Sequence, residues 1–361
     1  MAKFPLAPGS TIAILGGGQL GRMLALAAAR LGFDTLILSP EPDAIAARVA
    51  THSLVADYGD DQALDALAHL ASVVTFEFEN VPAAVVAKLQ ALGVEVAPGP
   101  RALAMAQDRV DEKTFLNDCG APTVAFAAVG GLDDLREALD RIGAPALLKT
   151  RRDGYDGKGQ TWVESHADAA AAFDRIGRAP AILEAPADFT RELSVIAART
   201  RDGDVVAYPV GENHHQDGIL RRTRAPAVLS KAAQDQAETL AARILTRLDY
   251  VGVMGVELFE LKDGRLLVNE FAPRVHNSGH WTLDGCEVDQ FEQHIRAVAG
   301  WPLGPVTPLA RVEMENLIGD EIDAWPRLAA EPEARLWHYG KGEARPGRKM
   351  GHVNRLWPLK D

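Results

Sequence analysis

The sequence is short of three things: cysteines, positive charge and long apolar runs. Cys119 and Cys286 are its only cysteines, which is too few for a disulfide framework, and their spacing does not suit a metal site. The formal net charge of −12 argues against a nucleic-acid or anionic-membrane partner, because both require a basic surface. No apolar stretch is long enough to span a membrane, and the N-terminus has no signal-peptide pattern. We therefore expect a cytoplasmic protein with reduced thiols that binds neither nucleic acid nor membrane.

Composition and pattern indicate a globular α/β protein with several domains. At 361 residues the chain can form two or three domains, and 47% hydrophobic with 24% charged residues is typical of globular proteins. Helical patterns alternate with short apolar runs, which predicts a parallel sheet covered by helices. The apolar runs cover residues 11–15, 34–38, 52–56, 73–77 and 94–97. A helix predicted over 101–119 ends this pattern, so we place a domain boundary near Asp118.

A hairpin is predicted within residues 253–280, around Asp263-Gly264. Asp-Gly between two apolar runs favours a two-residue turn in which both residues take positive φ. With that register Glu257 lies opposite Glu270, with their Cβ atoms about 5 Å apart. Two carboxylates this close repel each other, and one has a raised pKa unless a cation lies between them. Oxygen ligands suit Mg²⁺, which also binds substrate phosphates, so the pair predicts a nucleoside triphosphate site.

The alternative is that both glutamates belong to a solvated strand face. The residues that follow favour a site, because Asn269 and a run of polar side chains come next. The run contains Arg274, His276, Asn277, Ser278 and His280. Two adjacent histidines lie in a polar loop predicted over residues 213–218. Neighbours on an extended chain point to opposite faces, so we expect at most His215 to enter the site.

A glycine turn follows the first predicted strand. Gly16, Gly18 and Gly21 fit G-x-G-x-x-G, and Glu41 lies where a dinucleotide-binding fold places its ribose acid, so an NAD-dependent enzyme is a competing hypothesis. However, Glu41 lies between two prolines, and the second half of a Rossmann fold is missing. We interpret the turn as a phosphate-binding site in which backbone N–H groups at a helix N-terminus receive an anion. The alternative is a turn needed only for close packing.

Three further polar segments are candidates for anion or ligand binding. Glu77-Phe78-Glu79-Asn80 ends a predicted strand, and ligands bind at the carboxyl ends of such strands. Residues 150–160 combine three glycines, Lys158 and two arginines, which predicts a mobile cationic cover over phosphates. Residues 341–352 are rich in cations within an acidic chain and could clamp a phosphate or a bicarbonate-derived anion. The alternatives are a solvated loop, a glycine hairpin and a solvated basic turn.

Taken together, the motifs resemble the ATP-grasp superfamily, and within it the 5-(carboxyamino)imidazole ribonucleotide synthase family of purine biosynthesis. Six motifs occur in family order, which is specific although each alone is weak. They are Gly-Gly-Gly-Gln-Leu-Gly-Arg-Met (16–23), Glu-Phe-Glu-Asn (77–80), Gly-Tyr-Asp-Gly-Lys-Gly-Gln (154–160), His-Gln-Asp-Gly-Ile-Leu (215–220), Ala-Pro-Arg-Val-His-Asn-Ser-Gly-His-Trp-Thr (272–282) and Arg-Pro-Gly-Arg-Lys-Met-Gly-His (345–352). The resemblance covers nearly the whole chain.

The resemblance implies a three-domain α/β ATP-grasp fold. Residues 1–118 would form a pre-ATP-grasp domain with a parallel sheet, 119–188 a small lid domain and 189–361 the catalytic domain, with ATP between the last two. The implied reaction joins bicarbonate to aminoimidazole ribonucleotide through carboxyphosphate, with ATP cleaved to ADP and phosphate, and a homodimer is expected. Three other functions stay open: a formate-dependent glycinamide ribonucleotide transformylase, an NAD-dependent oxidoreductase, and a nucleotide-binding regulator without chemistry.

The resemblance also implies roles for individual residues on the nucleotide side. Arg109 and Lys149 would contact phosphates. The lid loop would consist of Gly154, Tyr155, Asp156, Gly157, Lys158, Gly159 and Gln160. The adenine hinge would be Glu184, Ala185, Pro186 and Ala187, with Glu192 as the ribose carboxylate and His215 as a further contact. Mg²⁺, or Mn²⁺, would be held by Glu257 and Glu270 with Asn269 nearby, whereas Ala272 stands where many members have an asparagine.

On the acceptor side, the resemblance implies that Lys341 and Arg348 hold carboxyphosphate and that Asp156 orients or deprotonates the amine. The ribonucleotide pocket would be lined by Gln19, Leu20, Glu77, Tyr155, Arg274, His276, Asn277 and Ser278.

Overall fold

The N-terminal unit is a parallel sheet that forms as its sequence pattern predicts. The computed structural model describes residues 2–152, 154 and 159–359. Its first elements are β1 (Thr11–Leu15), α1 (Gln19–Arg30), β2 (Asp34–Ser39), β3 (His52–Val55), α2 (Asp61–Leu70), β4 (Val73–Phe76), α3 (Ala83–Ala91) and β5 (Glu95–Val96). The strand order is β3-β2-β1-β4-β5, all parallel, and β1, β2 and β4 are buried because helices cover both faces.

The helix predicted over 101–119 is wrong in one respect, because the structure divides it into two helices. They are α4 (Pro100–Ala106) and α5 (Arg109–Asp118). Asp108 has extended backbone dihedral angles, and its carboxylate accepts hydrogen bonds from the N–H groups of Val110 and Asp111, which begins a new helix. The preceding Gln107 donates its amide to the carbonyl oxygens of Glu79 and Val81. The break therefore fixes the start of α5 beside the polar residues that follow β4.

The second unit is a small antiparallel sheet with two helices on one face. It contains β6 (Phe126–Val129), α6 (Leu132–Ile142), β7 (Ala146–Thr150), β8 (Gln160–Val163), a 3₁₀ turn (His166–Asp168), α7 (Ala169–Arg175) and β9 (Ala181–Glu184). The strand order is β6-β9-β7-β8. Leu135 and Leu139 of α6 and Phe173 of α7 pack on the sheet in one apolar core. The opposite face of this sheet carries Leu147 and Lys149, which line the cleft described below.

The third unit is a large antiparallel sheet. It begins with β10 (Phe189–Arg199), β11 (Val205–Ala207), β12 (Gly211–Gln216), β13 (Ile219–Ala225), α8 (Lys231–Arg247), β14 (Gly252–Leu261) and β15 (Leu266–Ala272). It continues with a 3₁₀ turn (Asn277–Gly279), α9 (Thr282–Gly285), α10 (Gln290–Val298), β16 (Arg311–Ile318), a second 3₁₀ turn (Gly319–Ala324), α11 (Trp325–Leu328), β17 (Ala334–His338) and β18 (Lys349–Trp357). The strand order is β15-β14-β10-β12-β13-β16-β18-β17, and β11 pairs with β10.

The polar loop predicted over residues 213–218 is wrong, because these residues belong to a hairpin. Gln216 pairs with Ile219, so Asp217-Gly218 is the two-residue turn between β12 and β13. Both turn residues have positive φ, 53° and 77°. This is the backbone geometry that a two-residue hairpin turn requires. The alternation of this strand still places only one of the two histidines toward the cleft described below.

The central hairpin has the predicted pairing but a different turn. The N–H of Leu261 donates to the carbonyl of Arg265, which leaves three loop residues, and only Gly264 has positive φ, 80°. The two-residue turn is therefore wrong, and the register beside the turn is shifted by one residue, with Leu258 opposite Val268. A β-bulge at Asn269 restores the offset, so that Glu257 lies opposite Glu270 as predicted.

The N-terminal unit packs firmly on the third unit through α1 and α10. Leu24 of α1 and Ile295 of α10 belong to one apolar core that also contains residues of the large sheet. His294 of α10 bridges the units, because its Nε2 lies 2.7 Å from the Thr75 hydroxyl and its Nδ1 accepts from the N–H of Val253. This contact brings the carboxyl ends of β1 and β4 to the large sheet. No helix among the described residues is long and apolar enough to cross a bilayer.

Candidate active site

A cleft of about 610 Å³ lies where the three units meet. Residues from the glycine turn, the end of β4, the second unit and the central hairpin line it. They include Gln19, Leu20, Glu77, Glu79, Asn80, Arg109, Lys149, Gly154, Gln160, Glu192, His215, Glu257, Asn269, Glu270, Arg274, His276, Asn277 and Lys349. Most residues predicted for the site are therefore in one cavity, although they are spread from Gln19 to Asn277 in the sequence.

The centre of the cleft is the predicted carboxylate pair on β14 and β15. Burial and the neighbouring Glu270 raise the pKa of Glu257 to about 7. Burial also opposes ionisation of Glu270, but the Arg109 guanidinium, 2.9 Å from Glu270 Oε2, and Lys149 hold its pKa at about 2. The cations therefore act more strongly on Glu270 than on Glu257, and Glu257 is the carboxyl of the pair that takes up a proton more readily.

This donor set fits an oxygen-preferring divalent cation. The bulge at Asn269 breaks the alternation of β15, so that Asn269 and Glu270 both face the cleft with Glu257. Two carboxylates and an amide oxygen are ligands that Mg²⁺ accepts, with its remaining positions left to water and phosphate. Across the described part of the chain, no group of three or more His, Cys, Asp or Glu side chains converges as a metal site. Glu257 and Glu270 therefore need oxygens from a substrate or from Asn269 to complete a metal site.

On the nucleotide side, Lys149 is held by Glu184. The Lys149 ammonium lies 2.8 Å from Glu184 Oε2, and Lys113 lies 3.3 Å from Oε1. Burial would raise the pKa of Glu184, but the two ammonium groups hold it below its usual value. The Glu184 side chain thus lies inside the protein at the base of the predicted hinge. Ala185, Pro186 and Ala187 follow it and line a neighbouring open groove.

Glu192 and His215 form a pair on the wall of the cleft. His215 Nδ1 lies 2.7 Å from Glu192 Oε2. Burial opposes protonation of His215, but the hydrogen bond and charge of Glu192 raise its pKa overall. His215 lines this cleft and His214 does not, as the alternation of side chains along a strand predicts.

In this structure a carboxylate of the chain itself accepts hydrogen bonds from the glycine turn, and the phosphate-binding role of the turn stays a prediction. The N–H groups of Gly18 and Gly21 donate to Glu77, the latter at 2.8 Å. A Cβ atom at Gly16 would lie 2.1 Å from Glu77 Cγ, so glycine is required for this approach. Burial raises the pKa of Glu77, and the two N–H groups partly oppose that shift. The N–H groups of Gly18 and Gly21 therefore already have an anionic partner within the chain.

Arg274, His276 and Asn277 also line the cleft. The Arg274 guanidinium pairs with both carboxylate oxygens of Glu79. Burial and the charge of Arg274 lower the pKa of His276 to about 3, so the imidazole is neutral. His276 Nε2 lies 3.5 Å from Glu257 Oε1, and its Nδ1 lies 2.8 Å from the Ser278 hydroxyl. Ser278 is wholly buried and orients His276 instead of lining the cavity.

The basic segment at residues 341–352 places a different cation in the cleft from the two that the resemblance implies. Lys349, which the sequence analysis did not single out, lines the cleft, whereas Lys341 and Arg348 lie beside its lining. Burial and the charge of Arg348 lower the pKa of Lys341 to about 8, while Glu77 opposes this shift. Arg348 donates to the carbonyl of Glu343 at 2.9 Å. Lys341 and Arg348 are thus close enough to each other to interact, and Lys341 lies near Glu77.

The predicted lid loop is only partly within the described residues. Tyr155, Asp156, Gly157 and Lys158 lie outside them. Gly154 and Gln160 line the cleft, and the Gly154 carbonyl accepts from Arg109 at 2.9 Å. The Gly159 carbonyl accepts from the N–H of Thr150, which ties the end of the loop to β7.

The sequence analysis missed two charged residues behind the cleft. Glu112 and Lys113 of α5 are almost fully buried and contact the backbone of β15. Their sequence signal is spacing, because charged residues at 109, 112 and 113 share one face of a helix. That signal becomes visible only once Asp108 is recognised as the residue that begins the helix.

Comparisons with known proteins agree with this architecture. Family models match the chain as a ribonucleotide synthetase preATP-grasp domain over residues 10–107, an ATP-grasp domain over 114–291 and a phosphoribosylaminoimidazole carboxylase C-terminal domain over 313–358. The N5-carboxyaminoimidazole ribonucleotide synthase of Brucella melitensis is 52% identical over 360 residues, which is 99% of each chain.

Solved structures match over the same extent. The crystal structure of an N5-carboxyaminoimidazole ribonucleotide synthetase in complex with ADP gives a TM-score of 0.94 at 39% identity and covers 98% of this chain and 94% of that chain. The Aspergillus clavatus N5-carboxyaminoimidazole synthase, in complex with ADP and 5-aminoimidazole ribonucleotide, gives 0.91 at 31% identity and covers 97% and 94%. On identity, coverage and fold together, the chain belongs to the N5-carboxyaminoimidazole ribonucleotide synthase family of ATP-grasp ligases.

Proposed function

We propose that the chain carboxylates the exocyclic amine of 5-aminoimidazole ribonucleotide, using ATP and bicarbonate, in purine biosynthesis. The products are 5-carboxyaminoimidazole ribonucleotide, ADP and phosphate. The observation that carries the proposal is the Glu257 and Glu270 pair, which lies between a nucleotide-side wall and a second polar wall in one cleft. Membership of the family, and a relative crystallised with ADP and the ribonucleotide, support this substrate pair.

On the nucleotide side, Glu257 and Glu270 hold Mg²⁺, with Mn²⁺ as a substitute, and Asn269 lies beside them. When bound, the metal neutralises charge on the phosphoryl group, which is the main catalytic requirement of such transfers. Arg109 and Lys149 contact phosphates. Both are engaged with carboxylates here, so ATP must draw them away from Glu270 and Glu184.

Further nucleotide contacts come from the hinge and the pair beside it. Ala185 to Ala187, following Glu184, receive the adenine. Glu192 binds the ribose hydroxyls, with His215 holding its carboxylate at 2.7 Å. The lid segment from Gly154 to Gln160 covers the phosphates.

The chemistry proceeds in three steps. A bicarbonate oxygen attacks the γ-phosphorus of ATP, the bond to the ADP oxygen breaks, and carboxyphosphate forms. The bond between the carboxyl carbon and the phosphate oxygen of carboxyphosphate then breaks, which releases phosphate and CO₂. The carbon of CO₂ forms a bond to the exocyclic nitrogen of the ribonucleotide, and the amine loses a proton. Asp156 orients the amine or accepts that proton, and Lys341 and Arg348 hold the carboxyphosphate anion.

The ribonucleotide occupies the wall opposite the nucleotide. Gln19, Leu20, Glu77, Arg274, His276 and Asn277 line it, with Ser278 behind and Tyr155 from the lid. His276 is neutral because burial and Arg274 lower its pKa, so one ring nitrogen can accept a hydrogen bond from the substrate. Glu77 is held by the glycine turn, which fixes its position on this wall.

We also propose the domain limits, location and assembly. Domains at residues 1–118, 119–188 and 189–361 are supported by the three sheets, whose strands lie within 11–96, 126–184 and 189–357. A cytoplasmic location and a homodimer are proposed from the composition and the family resemblance. Light scattering of the purified protein tests the dimer directly.

One assay tests the proposed reaction against its competitors. We expect ADP release to require both bicarbonate and 5-aminoimidazole ribonucleotide. ADP release that requires formate and glycinamide ribonucleotide would instead indicate the transformylase. A change in nicotinamide absorbance without ADP would indicate an oxidoreductase, and ATP binding without turnover would indicate a regulator.

A further inference from the structure

One face of α5 is unusual because its charged side chains point into the protein and not into solvent. Arg109, Glu112 and Lys113 share one face at i, i+3 and i+4, and Glu112 and Lys113 are only 3% and 2% exposed. Burying an ion costs several kcal/mol unless it is paired and hydrogen-bonded. The partners of these side chains therefore indicate what the burial achieves.

Apart from Glu184, which lies 3.3 Å from Lys113, those partners are three consecutive residues of β15. Lys113 Nζ donates to the carbonyl of Asn269 at 3.0 Å. Arg109 donates to the carboxylate of Glu270, and the N–H of Phe271 donates to Glu112 Oε1 at 2.7 Å. β15 is an edge strand of the described sheet, so backbone groups on its outer side have no strand partner. The side chains of α5 supply the hydrogen bonds that a neighbouring strand would otherwise provide.

The contacted residues include the β-bulge that sets the carboxylate pair. Beside the turn, Leu258 pairs with Val268. Continued without a bulge, that register would place Asn269 opposite Glu257 and turn the Glu270 side chain to the other face of the sheet. The contacts from α5 hold the carbonyl before Glu270 and the N–H after it, and so favour the bulged register.

We propose that Glu112 and Lys113 are positioning residues for the metal site, which they act on through the backbone of β15. They hold the bulge at Asn269 so that Glu270 faces Glu257 and both carboxylates bind the divalent cation. This inference rests on the metal site of the proposed function. It assigns α5 a task in metal binding although neither residue lies in the nucleotide-binding cleft.

The test compares two substitutions of one residue. Glu112→Gln keeps an oxygen that accepts the Phe271 N–H, whereas Glu112→Met has a similar volume and no such acceptor. We measure Mn²⁺ binding to the ADP-loaded protein by electron paramagnetic resonance, and amide exchange at Phe271. Glu112→Gln should bind Mn²⁺ as the wild type does. Glu112→Met should bind it roughly 10- to 100-fold more weakly, as expected for lost support of a metal ligand, and exchange the Phe271 amide faster.

Controls separate this inference from the proposed metal site. Glu292→Met removes a buried glutamate of α10, away from the cleft, and should leave Mn²⁺ affinity unchanged. If Glu112→Met does not fold, Lys113→Met tests the same bulge from the Asn269 carbonyl and should weaken Mn²⁺ binding similarly. Because this substitution also removes the ion pair with Glu184, ADP affinity is measured beside it and should change much less than Mn²⁺ affinity. Failure of the wild type to bind Mn²⁺ would overturn the metal site itself. Wild-type binding retained in the folded methionine variants, or lost equally in Glu112→Gln, would overturn only the positioning role.

Discussion

At the residue scale, the cleft is governed by the unequal surroundings of two carboxylates. Three cations, Arg109, Lys149 and Lys113, lie near Glu270. Glu257 lies beside the neutral His276 and the negative Glu270, and the charges of His215 and Lys349 only partly oppose the rise in its pKa. The pKa of Glu257 is therefore raised and that of Glu270 lowered, although the residues are direct neighbours across two strands. The two carboxylates of the predicted metal pair therefore differ in how readily each takes up a proton.

We predict that Glu270→Gln lowers ATP cleavage by roughly 100-fold or more while the fold persists, because a charge is lost at constant volume. ADP release and circular dichroism measure the two effects. Glu313→Gln is the matched control, since Glu313 is a paired glutamate of β16 in the same sheet. Near-normal turnover of Glu270→Gln at ordinary Mg²⁺ would contradict the assignment.

The depressed pKa of Lys341 predicts a limb in the pH profile. With a pKa of about 8, Lys341 is a cation below that pH and neutral above it. If the cation holds carboxyphosphate, kcat/KM for the ribonucleotide falls as pH rises through about 8. Lys341→Arg stays charged and should move the fall to higher pH. Identical pH profiles for the wild type and for Lys341→Arg would show that Lys341 does not cause this fall in kcat/KM.

At the scale of elements, the turn between β1 and α1 binds the carboxylate of Glu77, which is distant in sequence. A Cβ atom at Gly18 would lie 2.7 Å from Glu77 Oε1, too close for the carboxylate to stay. We predict that Gly18→Ala lowers the free energy of unfolding by about 1–3 kcal/mol, as overpacking does, and weakens ribonucleotide binding. ADP affinity should be unchanged, because Glu77 lies on the opposite wall.

Denaturant unfolding and calorimetric titration with each ligand check this prediction. Gly59→Ala is the control, since a Cβ atom there meets no atom within 4 Å. Equal loss of ADP and ribonucleotide affinity would mean that the turn supports the whole fold and not one wall.

Sequence patterns predict the elements well and their contacts unevenly. The Glu257 and Glu270 pairing is confirmed, yet it depends on two departures from the predicted hairpin, a longer turn and a bulge, which cancel. Nothing in Asn269 marks a bulge, because its stabilising partners are on α5. The contact between the glycine turn and Glu77 could not be predicted from the sequence either. Glu77 follows Gly18 by 59 residues, and both motifs suit an external ligand equally well.

At the scale of the whole molecule, the cleft exists only where three units meet. Arg348 comes from the segment before β18, whereas the proposed adenine and ribose contacts follow β9 and lie in β10. We predict that Arg348→Ala lowers the ribonucleotide carboxylation rate by roughly 10-fold or more and leaves ADP affinity near that of the wild type.

Product formation and ADP titration measure these effects, and Arg345→Ala is the control from the same segment, since Arg345 pairs only with Glu343 in the described structure. If Arg348→Ala lowered the carboxylation rate and the ADP affinity equally, the segment before β18 would support the fold in general and not the carboxylation step. An unaffected carboxylation rate would make it a solvated surface turn.

The position of β18 has a consequence for how the sheet is completed. It follows every other described strand in sequence but lies inside the sheet, between β16 and β17, and it begins with Lys349 of the cleft. Until β18 is in place, the edge of β16 that faces it is unpaired, and β17 has no partner among the described strands. Insertion of this one strand closes the sheet and brings Lys349 to the cleft together, so completion of the fold and completion of the cleft are coupled.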